Sequence, residues 1–142
     1  YNVQLIGGDT TQGPLSITIT AQGLTPEGKY LSRSGAKAGD WLYVTGELGD
    51  AALALQHHKD PFLTDSDVIE QVQKKLDYPK PRVLMGQSLR EYASSAIDIS
   101  DGLLADLGHI CQASNVGANV VLDSVPLSDA MNKSQCLMMR YS

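Results

Sequence analysis

Apolar and polar positions alternate early in the chain. In residues 15–21, Leu15, Ile17 and Ile19 fall on one face of an extended backbone and Ser16, Thr18 and Thr20 on the other. That is the period of a half-buried strand, and β-branched residues dominate it. Val3-Gln4-Leu5-Ile6 predicts a shorter strand before it. Trp41-Leu42-Tyr43-Val44-Thr45 predicts a third, entered from the turn Gly35-Ala36-Lys37-Ala38-Gly39-Asp40 and ended by Gly46 and Gly49. Ala96-Ile97-Asp98-Ile99 and residues 118–122 predict two more.

Helical spacing fills the gaps between these segments. Residues 51–57 are nearly all apolar and predict a buried helix, broken at Asp60-Pro61. Ser66 or Asp67 can cap a second helix, in which Val68, Ile69, Val72 and Leu76 share one face and Glu70, Gln71, Lys74 and Lys75 the other. Pro81 suits the first turn of a third helix, striped by Leu84, Met85, Leu89 and Tyr92. Ser100 can cap a fourth from residue 101 to about residue 114. Its Leu103, Leu104, Leu107, Ile110 and Cys111 would face the core, with Asn115 and Gly117 as stops. A short helical stretch near residues 128–131 follows Pro126. Strands alternating with helices, without repeats, give an α/β or α+β class. Gly23, Pro26 and Gly28 mark a junction, so residues 1–25 and 26–142 read as parts of two domains.

Composition narrows the function. The 142 residues are 42% apolar, ordinary for a globular chain, with no run long enough for a membrane span. No signal-peptide pattern is visible. Both ends read as cuts through a longer chain: there is no initiator Met, and the last residues are apolar without punctuation. A net charge of −5 argues against a nucleic-acid surface. Cys111 and Cys136 lie far apart without metal-spaced partners and read as reduced thiols of a cytoplasmic protein. His57 and His58 read as helix-end residues and His109 as partly exposed. No Ser/His/Asp set and no thiolate nucleophile is suggested.

Three segments could carry chemistry. In Ser95-Ala96-Ile97-Asp98-Ile99-Ser100-Asp101-Gly102-Leu103, Asp98 would leave a strand end and Asp101 would sit in the first turn of a helix. Ser100 and the free N–H groups of that turn would face the same space. A helix N-terminus favours an anion, and two carboxylates beside it can hold a hard cation. The same residues also read as a plain capping arrangement. Gly7-Gly8-Asp9-Thr10-Thr11 would let a backbone approach a ligand and add a third carboxylate, or it is a simple Gly-Asp turn. Arg33 is a permanent cation in a loop near the junction, within reach of a phosphate or merely on the surface. No P-loop and no G-x-G-x-x-G occurs.

Taken in order, these segments resemble the thiamine-monophosphate kinases. Leu5-Ile6-Gly7-Gly8-Asp9-Thr10-Thr11, with Gly13-Pro14-Leu15, is similar to that family's nucleotide-binding loop. Arg33-Ser34-Gly35-Ala36-Lys37, Gly39-Asp40-Trp41 and Tyr43-Val44-Thr45-Gly46 match the next segment. Pro81-Arg82, Gly86 and then Ala96-Ile97-Asp98-Ile99-Ser100-Asp101-Gly102-Leu103 complete the series. The Asp-x-Ser-Asp-Gly piece alone is shared with the wider group of aminoimidazole-ribonucleotide synthetase-like proteins.

The resemblance implies an α/β subunit of two domains. Residues 1–25 would end an N-terminal ATP-binding and dimerisation domain. Residues 26–142 would form most of a C-terminal mixed-sheet domain with helices packed on it. Gly8, Asp9, Arg33 and Ser100 would contact ATP, and Asp9, Asp98 and Asp101 would bind Mg2+. The implied reaction is ATP-dependent phosphorylation of thiamine monophosphate to thiamine diphosphate by a cytoplasmic homodimer, with no nucleic acid or membrane partner. The family's aspartate-rich N-terminal segments and its Gly-Gly-Glu-Asp-Tyr-Glu segment are absent, so this chain by itself is expected to be inactive. Its strands near the N-terminus, without sheet partners, are expected to promote association. Two other readings stand beside this one: another ATP-dependent synthetase or kinase of the same superfamily, and an inert folding or dimer-forming module.

Overall fold

The computed structural model describes residues 3–138, and side-chain surroundings as far as residue 134. Five α-helices order the chain: α1 (Asp50–Lys59), α2 (Ser66–Asp77), α3 (Val83–Leu89), α4 (Leu103–Ser114) and α5 (Asp129–Met138). A single 3-10 turn, Leu122–Ser124, precedes α5.

The core is formed by α1, α2 and α5. Leu53 and Ala54 of α1, Leu63 of the connection, Val68 and Val72 of α2 and Ala130 of α5 are buried together. Phe62, Ile69, Leu76 and Met131 pack around them. In α2 the expected face is the observed one, because Val68 and Val72 lie four residues apart on one side of the helix. Its cap is Asp65 rather than Ser66 or Asp67: the Asp65 carboxylate accepts from the N–H groups of Asp67 (2.9 Å) and Val68 (3.3 Å). His57 is more than a helix end. Its Nδ1 accepts from the N–H groups of Phe62 (3.0 Å) and Leu63 (3.1 Å), and its ring meets Phe62 edge-on at 5.7 Å. The turn into α2 is thereby tied to α1.

Polar contacts close the unit at its far side. Ser128 accepts from the N–H of Met131 at 3.1 Å, capping α5, and donates to the buried carboxylate of Asp50 at the start of α1. Among the described residues, the other oxygen of that carboxylate is buried without a hydrogen-bond partner. Leu48 donates to the carbonyl of Pro126 at 2.9 Å, beside a lone parallel bridge between Leu48 and Leu127.

The remaining helices pack less than expected. The stripe on α3 stays open, with Leu84 79% and Tyr92 87% exposed. On α4, Leu104 is exposed and the only buried residue is Asp106. The expected stop does end α4: Asn115 adopts a left-handed conformation (φ 54), and Val116 donates back to Cys111 at 3.1 Å. Cys111 is a free thiol; the side chain of Cys136 lies outside the described residues.

The expected strands are the main departure. Among the described residues no strand ladder forms. Residues 3–6, 15–21, 41–45, 96–99 and 118–121 run without one. A strand needs a neighbour about 4.8 Å away to take up its N–H and C=O groups along its length, and among the described residues none of these segments has more than an isolated bond of that kind. No mixed sheet is assembled among the described residues, and the apolar side chains of these segments are left open. Ile17 is 80% exposed and Trp41 84%.

Candidate functional site

The segment before α4 is held from an unexpected direction. Ser100 does not cap the helix: α4 starts at Leu103, and Gly102 occupies the N-cap with no side-chain bond. The donors of this turn converge instead on Asp106. One carboxylate oxygen, Oδ2, accepts from the N–H groups of Ser100 (3.0 Å), Asp101 (3.2 Å) and Gly102 (3.1 Å). Helical side chains lean toward the N-terminus, so a residue in the first turns of α4 can reach back over the segment that enters it. Gly102 has φ +121, a conformation that strains any residue with a Cβ. Asp98 and Asp101 are exposed on this turn.

A second loop docks at the other end of α4. Ser114, the last residue of α4, accepts from the N–H groups of Gly35 (3.1 Å) and Ala36 (3.2 Å) and donates to the carbonyl of Arg33 (3.2 Å). The N–H of Ala96 donates to the carbonyl of Ser32 at 3.0 Å. Gly35 lies so close to the chain at Ser94 that a Cβ there would come within 2.5 Å of its carbonyl oxygen. Asp40 accepts from the N–H of Lys37 (2.9 Å) and from the hydroxyl of Ser94. The Ser94 bond chiefly, and then Lys37, hold its carboxyl below the ordinary value of 3.8. Lys29 pairs with Glu91 at 2.8 Å, which lowers the Glu91 carboxyl in the same way. The Arg33 segment is thus tied to Ala96 by one backbone bond and to the C-terminal end of α4 through the Ser114 hydroxyl, and the Arg33 side chain itself is exposed.

The third segment stays apart. Gly8 and Asp9 are exposed, and the Asp9 carboxylate accepts the N–H of Thr10 at 2.8 Å. Among the described residues no three His, Cys, Asp or Glu side chains group closely enough to hold a metal ion. Asp9, Asp98 and Asp101 therefore do not converge in this chain. Asp98 and Asp101 have the right chemistry for Mg2+, hard oxygen donors open to solvent, but two carboxylates on one turn do not complete a site.

Sequence reading missed Asp106, Ser114 and the Asp50–Ser128 pair. A signal for Asp106 was present: it is an acidic residue among Leu103, Leu104, Ala105 and Leu107, four positions after a glycine at a helix start. For Ser114 there was none, since its partners are about 80 residues away along the chain.

Helices interleaved with extended segments fit the α/β class of domain, as do the likenesses to known proteins. The family described as "AIR synthase related protein, C-terminal domain" matches residues 37–141. The chain belongs to that family. It is 53% identical over 133 residues to a thiamine-monophosphate kinase of Salmonella typhimurium, covering 92% of this chain and 41% of the relative. It is 50% identical over 134 residues to that of Escherichia coli, covering 94% and 41%. A crystal structure of thiamine-monophosphate kinase from Stenotrophomonas maltophilia superposes with a TM-score of 0.72 at 43% identity, covering 77% of this chain and 36% of that one. The chain thus spans about 41% of the length of these two curated relatives. Among the described residues, no helix is long and apolar enough to cross a membrane.

Proposed function

We propose that this chain is part of a kinase that transfers the γ-phosphoryl group of ATP to thiamine monophosphate, giving thiamine diphosphate and ADP. The observation that carries the reading is identity of 50–53% to thiamine-monophosphate kinases across more than nine-tenths of the chain. In this reading residues 1–25 belong to an N-terminal ATP-binding and dimerisation domain and residues 26–142 to a C-terminal domain. The exposed extended segments pair into a mixed sheet when the rest of the protein is present. Pairing would also bring Gly8 and Asp9 to the turn that holds Asp98 and Asp101. The protein is a cytoplasmic homodimer.

The chemistry follows from the substrates. A phosphate oxygen of thiamine monophosphate, already anionic at neutral pH, forms the new bond to the γ-phosphorus. The bond from that phosphorus to the β–γ bridging oxygen breaks, and ADP leaves with its electron pair. No strong general base is needed, so no residue is assigned as one. The obstacle is bringing polyanions together, and positioning with charge neutralisation lowers it. Asp9, Asp98 and Asp101 would hold Mg2+, which supplies that neutralisation. Gly8 lets the backbone approach ATP closely, Arg33 pairs with a phosphate, and Ser100 binds the nucleotide through its hydroxyl.

The test is a radiolabelled-ATP assay on the protein at the full length of its relatives, against thiamine monophosphate and a panel of other acceptors. Label should appear in thiamine diphosphate; transfer to a different acceptor alone would replace this reading with another kinase or synthetase of the superfamily. Asp98→Asn should lower kcat at least about 10–100-fold, the range seen when even a residue behind a metal ligand is removed, with little change in the unfolding midpoint. Normal turnover at limiting Mg2+ would remove Asp98 from the site. The ungrouped carboxylates favour one further statement: the 142-residue chain alone binds magnesium nucleotide weakly or not at all, which calorimetry would measure.

A further inference from the structure

We propose that Asp106 is a positioning residue, whose buried carboxylate fixes the backbone of Ser100, Asp101 and Gly102 so that Asp98 and Asp101 are presented to a divalent cation. The identity of the ligand rests on the kinase reading above; the latch itself rests on this chain's geometry.

Asp106 is 3% exposed. A carboxylate so buried is costly unless donors surround it. Here three backbone N–H groups within 3.0–3.2 Å converge on one of its oxygens. Charge-assisted bonds of this kind are about twice as strong as neutral ones. The positive φ of Gly102 bends the chain as it enters α4. With these three donors bound inside the protein, they are not available to a phosphate. The N–H groups of residues 100–102 therefore form no anion cradle. The turn exposes two carboxylates outward while a third, behind it, holds the backbone that carries them. Nucleotide phosphates would then reach this turn through a cation or through the Ser100 hydroxyl, not through the N–H groups of residues 100–102.

The experiment compares Asp106→Ala and Asp106→Asn with the unaltered protein at the full length of its relatives. Val72→Ala is the control, a core change away from the turn. Amide hydrogen exchange is followed at Ser100, Asp101 and Gly102 without metal. Binding of Mg2+ with a non-hydrolysable ATP analogue is measured by calorimetry. In Asp106→Ala the three amides should exchange at least roughly tenfold faster, since bonds to a charged group are lost. The Mg2+ requirement should rise about 10–100-fold. Asp106→Asn keeps an acceptor oxygen and should recover part of both. Unchanged exchange at the three amides overturns the latch. A Mg2+ requirement that moves no further than in Val72→Ala overturns the positioning role. If the unaltered protein binds magnesium nucleotide but transfers no phosphate to thiamine monophosphate, the kinase reading falls and Asp106 is judged on exchange and binding alone. If it binds no magnesium nucleotide, the kinase reading and the positioning role both fall, and the latch is judged on exchange.

Discussion

The unit of α1, α2 and α5 and the stretch of residues 3–30 are both supplied with branched apolar side chains, yet they end in opposite states. In the first, Leu53 is 4% exposed and Val72 1%; in the second, Leu15 is 94% exposed and Ile19 87%. The difference is not hydrophobicity. An amphipathic helix satisfies its own backbone, so its apolar stripe needs only another stripe to pack against, and α1 and α2 are joined by a short connection that brings the stripes together. A strand must also find backbone partners, and those can lie anywhere in the sequence. Helices close over local distances where strands wait for distant ones. The described residues complete one kind of packing and not the other.

The largest expected effect tests that contrast directly. Leu53→Ala should cost about 2–5 kcal/mol in urea unfolding followed by helical circular dichroism. Ile17→Ala in the same chain should stay within about 0.5 kcal/mol. A comparable loss at both positions would show that residues 3–30 are packed in solution and would erase the distinction.

Ser128→Ala sharpens the account of the packed unit. It removes the α5 cap and the Asp50 carboxylate's hydrogen bond to Ser128, and among the described residues the other Asp50 oxygen has no partner. The expected cost is about 1–3 kcal/mol. Asp50→Asn in the Ser128→Ala background should restore part of it, because a buried amide without that donor is less costly than a buried charge. No recovery would mean that capping α5 is the whole contribution.

The smallest effect concerns the surface loops. Asp40 and Glu91 both have carboxyls held below their ordinary values of 3.8 and 4.5, by Ser94 with Lys37 and by Lys29 respectively. A lowered folded value means that the unfolded chain takes up protons first. The stabilisation is therefore present above those ordinary values and is lost as pH falls through the folded ones. Both groups are exposed, so screening keeps the effect small. Ser94→Ala and Lys29→Met should each flatten the acid side of the profile of unfolding midpoint against pH. An unchanged profile would show that the two contacts do not persist in solution.

The residues proposed for the site were chosen on local signals. Gly8, Asp9, Arg33, Asp98, Ser100 and Asp101 could be picked out by residue type, by neighbouring glycines and by nearness to predicted element ends. The ends themselves were less accurate. Ser100 looked like a cap because a Ser before a helix commonly is one, but Asp106, four residues beyond Gly102, took the N–H groups of the turn. Ser114 was invisible for a different reason. It ends one helix and ties down a loop nearly 80 residues earlier, and no local pattern encodes such a bond.

The sequence by itself determined the helices, the buried face of α2, the left-handed stop at Asn115 and the family to which the chain belongs. These depend on residues within a few turns of one another or on motifs read in order. Tertiary structure alone decided which apolar residues leave water, that Asp106 rather than Ser100 governs the turn before α4, and that the Arg33 loop is tied to Ala96 and to the last residue of α4. The physical reason is range. Helix capping and periodicity act over a few residues, whereas burial and carboxylate grouping depend on where distant segments come to rest.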